Sequence, residues 1–137
     1  MTDRQLARVA QTGLRLALGT AFLSAVASRL GFWGSLSGGW EPFLKYAAQL
    51  NWYLPASLAP VAGVVSTALE SVFGLMLIVG WRVRLAAFGS AALLTVFALS
   101  MATGENLKSP FDYSVFTAAF AALGLGASDH NAANYHK

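Results

Sequence analysis

Glu70 is the side chain of this sequence best suited to do chemistry, because it is a lone carboxylate near the middle of a long apolar run. Between Leu58 and Val79 no other residue carries a charge. A helix of about 20 apolar residues spans the roughly 30 Å hydrocarbon core of a bilayer, and an unpaired carboxylate there costs about 3 kcal/mol or more. The sequence therefore predicts that Glu70 has a partner, a proton or a cavity inside a membrane.

Arg15 is the expected ion-pair partner of Glu70, because the two residues lie at similar depths along their helices. Counted at about 1.5 Å per residue from one membrane surface, Arg15 lies roughly 9 Å deep and Glu70 roughly 15 Å deep. We therefore expect an ion pair that faces the bundle interior. The pair could form a substrate-binding site, where Arg15 stabilises an oxyanion and Glu70 exchanges protons. Alternatively, it could be purely structural and fix the register of two helices.

Four residues near the ends of apolar segments are secondary candidates for the site: Arg29, Lys108, Asp112 and Tyr113. Arg29 stands where a long side chain can reach the headgroups. Asp112 follows a Ser-Pro pair that is typical of a helix start, so a capping role is the simpler interpretation for it. Tyr113 is of the type that anchors a helix at the membrane interface.

The apolar runs predict an all-α fold with four membrane-spanning helices in an antiparallel bundle. The spans lie at about residues 9–30, 58–80, 85–102 and 111–127. Residues 81–84 leave room only for a tight turn, so the second and third spans are antiparallel neighbours. Pro60 is confined to the start of the second span, and a regular helix should therefore run through Glu70 without a break.

Residues 41–50, between the first two spans, predict a short amphipathic helix. Its polar positions recur at four-residue spacing: Glu41, Lys45 and Gln49. The apolar positions of another face are Phe43, Ala47 and Leu50. Aromatic residues typical of the membrane interface surround it: Trp33, Trp40, Trp52 and Tyr53. The helix lies on the membrane surface or caps the mouth of the bundle, and the two placements are compatible.

Small residues recur at every fourth position in two of the spans and would let another helix approach closely. In the first span they are Gly13, Ala17, Ala21 and Ala25. In the last span they are Ser114, Ala118, Ala122 and Gly126.

Composition supports a membrane protein and excludes several functions. Of the 137 residues 56% are hydrophobic and 11% charged, whereas soluble domains have about 25% charged residues. The nine Lys and Arg residues give a net charge of +3, but they are dispersed, so we expect no nucleic-acid partner. No cysteine is present, and His130 and His136 lie in a polar tail at residues 128–137. We therefore predict no metal site and no intramembrane haem. The sequence has no internal repeat and no sign of a second domain, so we predict a single domain over residues 1–137.

The distribution of basic residues predicts the orientation. One side of the four-span arrangement holds Arg4, Arg8, Arg82, Arg84 and Lys137, and the other holds Arg29, Lys45 and Lys108. The first group should be cytoplasmic, which places both termini inside. Residues 25–27 resemble a signal-peptide cleavage site, but Arg15 interrupts the apolar region, and we interpret the segment as a retained span.

Three stretches of the sequence resemble the DoxX family of membrane proteins: LRLALGTAFLSAVASRLGFWG, GLMLIVGWRVRLAA with the glutamate before it, and KSPFDYSVF. The resemblance covers most of residues 12–127 and implies a small four-helix protein of the bacterial inner membrane. By that resemblance Arg15, Arg29 and Glu70 are carried over as site residues. Arginine at position 29 replaces the more usual lysine, and the long connection at residues 31–54 resembles the DoxD-like branch.

The resemblance implies two classes of function. DoxD is known as a membrane subunit of a thiosulfate:quinone oxidoreductase, whereas other DoxX relatives accompany redox partners or lack a defined activity. The chain would then be a quinone-linked membrane subunit or partner of an oxidoreductase system, with quinone as its carrier and membrane or soluble redox proteins as partners. A noncatalytic scaffold or assembly factor, which could form homo-oligomers, ranks nearly level. A small-solute or proton pathway ranks behind, because four short helices leave little room for alternating access.

The orientation can be tested with single cysteines, since the native chain has none. Thr2→Cys and Ser128→Cys should react with a membrane-impermeant thiol reagent only from the cytoplasmic side, and Ser37→Cys only from the other side. Labelling is measured in intact cells and in inverted vesicles. Reaction of Ser37→Cys from the cytoplasm would refute the orientation.

Overall fold

Every regular element in the described part of the chain is a helix, which confirms the all-α prediction. The computed structural model describes the backbone of residues 1–134 and the side chains of residues 1–128. Its helices are α1 (Asp3–Arg29), α2 (Trp40–Leu50), α3 (Ala59–Val79), α4 (Val83–Gly104), α5 (Ser109–Asp112) and α6 (Val115–Asn134). One 3-10 turn, Gly34–Leu36, lies between α1 and α2.

The long helices form a membrane helical bundle. α1 packs against α3 and α6, and α4 packs against the same two helices. Gly80, Trp81 and Arg82 connect α3 to α4 in the tight turn that was predicted. Among the described residues three helices, α1, α3 and α4, are long and apolar enough to cross a membrane, and the apolar part of α6, Val115–Ser128, is shorter. The bundle buries a common core that includes Phe22 and Met76, and Leu77 and Leu125 are its largest fully buried side chains.

Gly19 and Gly74 set the register between the antiparallel helices α1 and α3. A Cβ atom added to Gly19 would lie 3.0 Å from the carbonyl oxygen of Gly74, and one added to Gly74 would lie 3.2 Å from that of Gly19. The two backbones can approach this closely because neither residue has a side chain. In this register Arg15 lies level with Gly80, at the end of α3. Residues 3–10 of α1 extend past the bundle and are exposed.

α2 covers one end of the bundle, which we call the α2 end; the opposite end, at the α3–α4 connection, is the turn end. The start of α2 is held to α1 because Gly38 and Gly39 donate backbone hydrogen bonds to Ser28 Oγ and O, at 2.9 and 3.1 Å. Farther along, α2 packs against Gly63 of α3 and Gly104 of α4. Its predicted apolar face points inward, and Glu41, Lys45 and Gln49 are exposed. The structure thus shows a cap over the bundle mouth, while a position in the membrane surface stays a prediction.

α3 is one regular helix from Ala59 to Val79, so the prediction of an unbroken helix through Glu70 is confirmed. Pro60 lies in its first turn, where a backbone N–H has no intrahelical partner. Gly80 ends the helix in the left-handed conformation, with φ +83°, and the N–H groups of Gly80 and Trp81 both donate to the Met76 carbonyl at 2.9 Å.

The last span differs from the prediction of one helix over residues 111–127. A single turn, α5, comes first, and α6 begins only after Ser114, whose φ of +56° breaks the helix. The Ser-Pro pair does start a helix, with Ser109 as the first residue of α5, and the Asn106 side chain before it accepts hydrogen bonds from the N–H groups of Lys108 and Ser109 at 3.0 and 2.9 Å. α6 continues to Asn134, into the segment predicted as a polar tail, and residues 135–137 lie outside the described residues.

Only one of the two small-residue seams lies in a helix contact. On α6, Ala122 is fully buried, and a Cβ atom on Gly126 would lie 2.9 Å from the Phe88 ring of α4. On α1, Gly13 has no atom within 4 Å of its Cβ direction, and Ala17 and Ala21 are exposed. The close approach of α1 to α3 uses Gly19, which lies on another face of the helix.

The register contact predicts a large difference between two glycines of α1. Gly19→Val should lower the free energy of unfolding by about 1–3 kcal/mol, because the new side chain has no space beside Gly74 and Ile78. Gly13→Val makes the same change of residue type where the space is open, and it should leave the melting temperature unchanged. Thermal unfolding in mild detergent measures both. Equal melting temperatures would contradict the register.

Candidate functional site

Glu70 forms a buried, two-point ion pair with Arg29. Arg29 Nη1 donates to Glu70 Oε2 at 2.5 Å, and Arg29 Nη2 donates to Oε1 at 3.2 Å. The Glu70 side chain is 3% exposed and that of Arg29 14% exposed. The planar fork of a guanidinium matches both oxygens of a carboxylate, so the pair is held in one geometry.

Two further contacts hold the Arg29 guanidinium in place. Nη1 also donates to Thr67 Oγ1 at 3.0 Å, and that hydroxyl donates in turn to the Gly63 carbonyl at 2.8 Å. The guanidinium lies over the Phe43 ring of α2, 3.9 Å from its centroid. A cation over an aromatic face is attracted by the ring quadrupole. Arg29 therefore joins α1, α2 and α3 at a single point.

The expected ion pair between Arg15 and Glu70 is wrong. Arg15 packs beside Gly80, and Glu70 lies ten residues before Gly80 on α3, or about 15 Å along the helix axis. The depth count placed both spans in the membrane from the same surface, but α1 is shifted along α3 by the contact at Gly19. Arg29, a secondary candidate at the end of α1, is brought to Glu70 instead.

Two adjoining cavities lie beside the ion pair at the α2 end. The first has a volume of about 360 Å³ between α2, α3 and α4, and Arg29 is the charged residue in its wall. The second, of about 700 Å³, is lined by both Arg29 and Glu70. Both share a mostly apolar and aromatic wall that includes Phe43, Tyr46 and Phe97. Cavities of this size and lining suit a lipophilic ligand with few polar groups.

Tyr46 fixes α2 over the cavities. Its hydroxyl donates to Glu105 Oε2 at 2.9 Å, which ties α2 to the end of α4. Burial, reinforced by the hydrogen bond to Glu105 and its charge, raises the pKa of Tyr46 above its ordinary value. The phenol therefore stays protonated and remains a donor. Trp52 Nε1 adds a second link at 3.3 Å to Thr103 Oγ1.

The other secondary candidates do not join the ion pair. Lys108 and Asp112 form their own exposed pair, with 2.6 Å between Nζ and Oδ2. Tyr113 is mostly exposed but lines the larger cavity. Sequence reasoning missed the roles of Thr67 and Tyr46, although Thr67 lies one helical turn before Glu70 and could have been recognised as a neighbour on its face.

The ion pair predicts a non-additive cost of mutation. Glu70→Gln or Arg29→Gln alone should destabilise the protein by about 3–5 kcal/mol, because each leaves one uncompensated buried charge. The double variant should recover part of that loss. Unfolding in mild detergent measures the coupling.

Two controls accompany this comparison. Arg15→Gln combined with Glu70→Gln should show no coupling, since the side chains are not in contact. Lys108→Gln with Asp112→Asn removes an exposed pair and should change stability by less than about 1 kcal/mol. Coupling of Glu70 to Arg15 in place of Arg29 would contradict the observed pairing.

Comparison with known proteins places these residues in a family. The sequence model of the DoxX family matches residues 10–104, a segment that contains Arg15, Arg29 and Glu70. We found no match among curated proteins or solved structures. Since the matched segment is more than half of the 137 residues, the chain belongs to the DoxX family of membrane proteins.

Proposed function

We propose that this protein binds a quinone beside the Arg29–Glu70 pair and serves as a quinone-linked membrane subunit or partner of an oxidoreductase system. The observation that supports the proposal is a two-point buried ion pair in the wall of lipophilic cavities of about 360 and 700 Å³. A purely structural ion pair needs no such space around it. A ligand site needs both a shaped apolar cavity and a few fixed polar groups.

The lining of the cavities fits a quinone. Apolar side chains such as Leu69 and Leu93 and the rings of Phe43 and Phe97 suit a flat ring with an apolar tail. The N–H groups of Arg29 can donate hydrogen bonds to a carbonyl oxygen of the quinone. A quinone would supply what the chain itself lacks, a carrier that takes up two electrons and two protons. The sequence has no cysteine, so the chain itself provides no dithiol or iron–sulfur cluster. In this proposal a partner protein supplies the electrons.

Glu70 and Arg29 have separate roles in this proposal. Arg29 donates hydrogen bonds to both oxygens of Glu70 and stabilises negative charge that develops on a bound oxygen. Glu70 accepts or delivers a proton at one carboxylate oxygen, and its other oxygen stays bonded to Arg29. Phe43 and Thr67 keep the guanidinium in position during the exchange. Phe43, Thr67 and Arg29 are therefore the groups that preorganise the site.

A noncatalytic scaffold is the second candidate function, and the exposed seam of α1 supports it. Gly13, Ala17 and Ala21 are exposed along one face, and Gly13 has no neighbour within 4 Å of its Cβ direction. Such a face lets a helix of a partner membrane protein approach closely.

Quinone binding can be measured directly in nanodiscs. Decylubiquinone titrated into the purified protein should quench tryptophan fluorescence saturably, since Trp40 packs against Phe43 in the cavity wall. Ala62→Phe fills the smaller cavity and should weaken binding by about tenfold or more, a loss of about 1.4 kcal/mol. Ala68→Phe is the matched control, because Ala68 lies on the exposed side of the same helix and should not affect binding.

The role of the ion pair is tested with variants that still fold. The variant with both Glu70→Gln and Arg29→Gln should lose quinone retention during purification, measured by chromatography of extracted lipids. If wild-type protein shows no saturable quinone binding, or if the folded double variant retains quinone equally, the quinone proposal is wrong and the scaffold replaces it.

A further inference from the structure

Arg15 is a cation for which the described part of the chain offers no counter-charge. Its Nε atom is buried without a hydrogen-bond partner among the described residues, and neither an ion pair nor a hydrogen bond of Arg15 occurs there. A buried donor without a partner costs free energy. The residue as a whole is half-buried, so a group outside the described protein can reach the guanidinium.

The surroundings of Arg15 define where such a group would bind. A Cβ atom on Gly80 would lie 2.9 Å from Arg15 Nη1 and 3.3 Å from its Cζ, so the guanidinium packs against the backbone at the end of α3. The next residues, Trp81 and Arg82, are exposed, and the Arg82 guanidinium lies 5.3 Å from the Trp81 ring centroid. Trp81 is of the type that anchors at the headgroup level. Arg15 is thus at the turn end, where we expect the headgroups to lie.

The described acidic side chains are all elsewhere. Glu70, Glu105 and Asp112 are bonded to Arg29, Tyr46 and Lys108 at the α2 end, and Glu41 belongs to α2. Asp3 lies twelve residues before Arg15 on α1, or about 18 Å along the axis. Asp129 is the sixth acidic residue of the sequence, and its side chain lies outside the described residues. The partial negative charge at the end of α3 is only about half a unit.

We propose that Arg15, with Arg82 of the adjacent turn, binds the phosphate of an anionic phospholipid at the turn end of the bundle. A guanidinium presents parallel N–H donors that match two phosphate oxygens, as Arg29 matches the two oxygens of Glu70. The acyl chains of a lipid held there extend along the apolar outer faces of α1 and α3, where Leu16 and Val72 are exposed. This site is separate from the cavities at the α2 end and does not depend on quinone binding.

The experiment compares anionic and zwitterionic lipids on the whole delipidated protein. Phosphatidylglycerol should raise the melting temperature in mild detergent more than phosphatidylcholine does, with a correspondingly tighter apparent affinity. Arg15→Gln should weaken the apparent affinity for phosphatidylglycerol by about fivefold, the contribution of one basic residue near an anionic surface. Arg8→Gln is the matched control: it removes the same charge from an exposed position on α1 and should keep the preference.

Several outcomes would overturn the proposal. One is an equal rise of the melting temperature with the two lipids, and another is an equal loss of affinity for phosphatidylglycerol in Arg8→Gln. A third is competition by inorganic phosphate, which would indicate a site for free anions. The melting temperatures of Asp129→Asn and Arg15→Gln are also compared without lipid. If both variants fall equally below the wild type, Asp129 is the counter-charge of Arg15 and no lipid is needed. If Arg15→Gln does not fold, Arg15→Lys and Arg82→Gln replace it, and each must reduce the preference for phosphatidylglycerol.

Discussion

The structure depends on one constraint, that Glu70 cannot remain an isolated charge among apolar helices. Arg29 meets this constraint with two hydrogen bonds, and Thr67 and Phe43 hold Arg29 in turn. Because Arg29 is the last residue of α1, the helix ends where its charge is needed. The chain then reverses direction at Gly38 and Gly39, which are hydrogen-bonded to Ser28, and α2 packs over α3 at Gly63. The ion pair, the end of α1 and the position of α2 are therefore one arrangement.

The sequence predicted the elements well and their relative shift poorly. Hydropathy and turn length were sufficient for the helices, the tight turn at Trp81 and the inward face of α2, since each depends on local spacing. The partner of Glu70 depends on how far α1 slides along α3, and hydropathy is insensitive to that shift. Arg15 and Arg29 are both arginines of the same span, so the packing of α1 on α3, which is closest at Gly19 and Gly74, decides between them.

The uncharged residues of the candidate site were also hard to predict from the sequence. Phe43 belongs to the predicted apolar face of α2, but Tyr46 does not, and it enters the cavities because α2 packs across α3 and α4. The break at Ser114 was also beyond prediction, because serine has no preference for positive φ that would mark the site. The charges could be found from the sequence, whereas the walls around them required the tertiary structure.

An ion pair at the edge of a cavity can be both a structural link and an exchangeable one. Each oxygen of Glu70 accepts one hydrogen bond from Arg29, and a carboxylate oxygen keeps a second lone pair at which a proton can bind. The bond at 3.2 Å is the weaker by geometry, and Oε1 is therefore the oxygen that is easier to release. If Oε1 exchanges a proton as proposed, Oε2 and Thr67 would keep the guanidinium in place, and the contact between α1 and α3 would be preserved. The two-point geometry thus allows chemistry at one oxygen without loss of the link that holds the helices together.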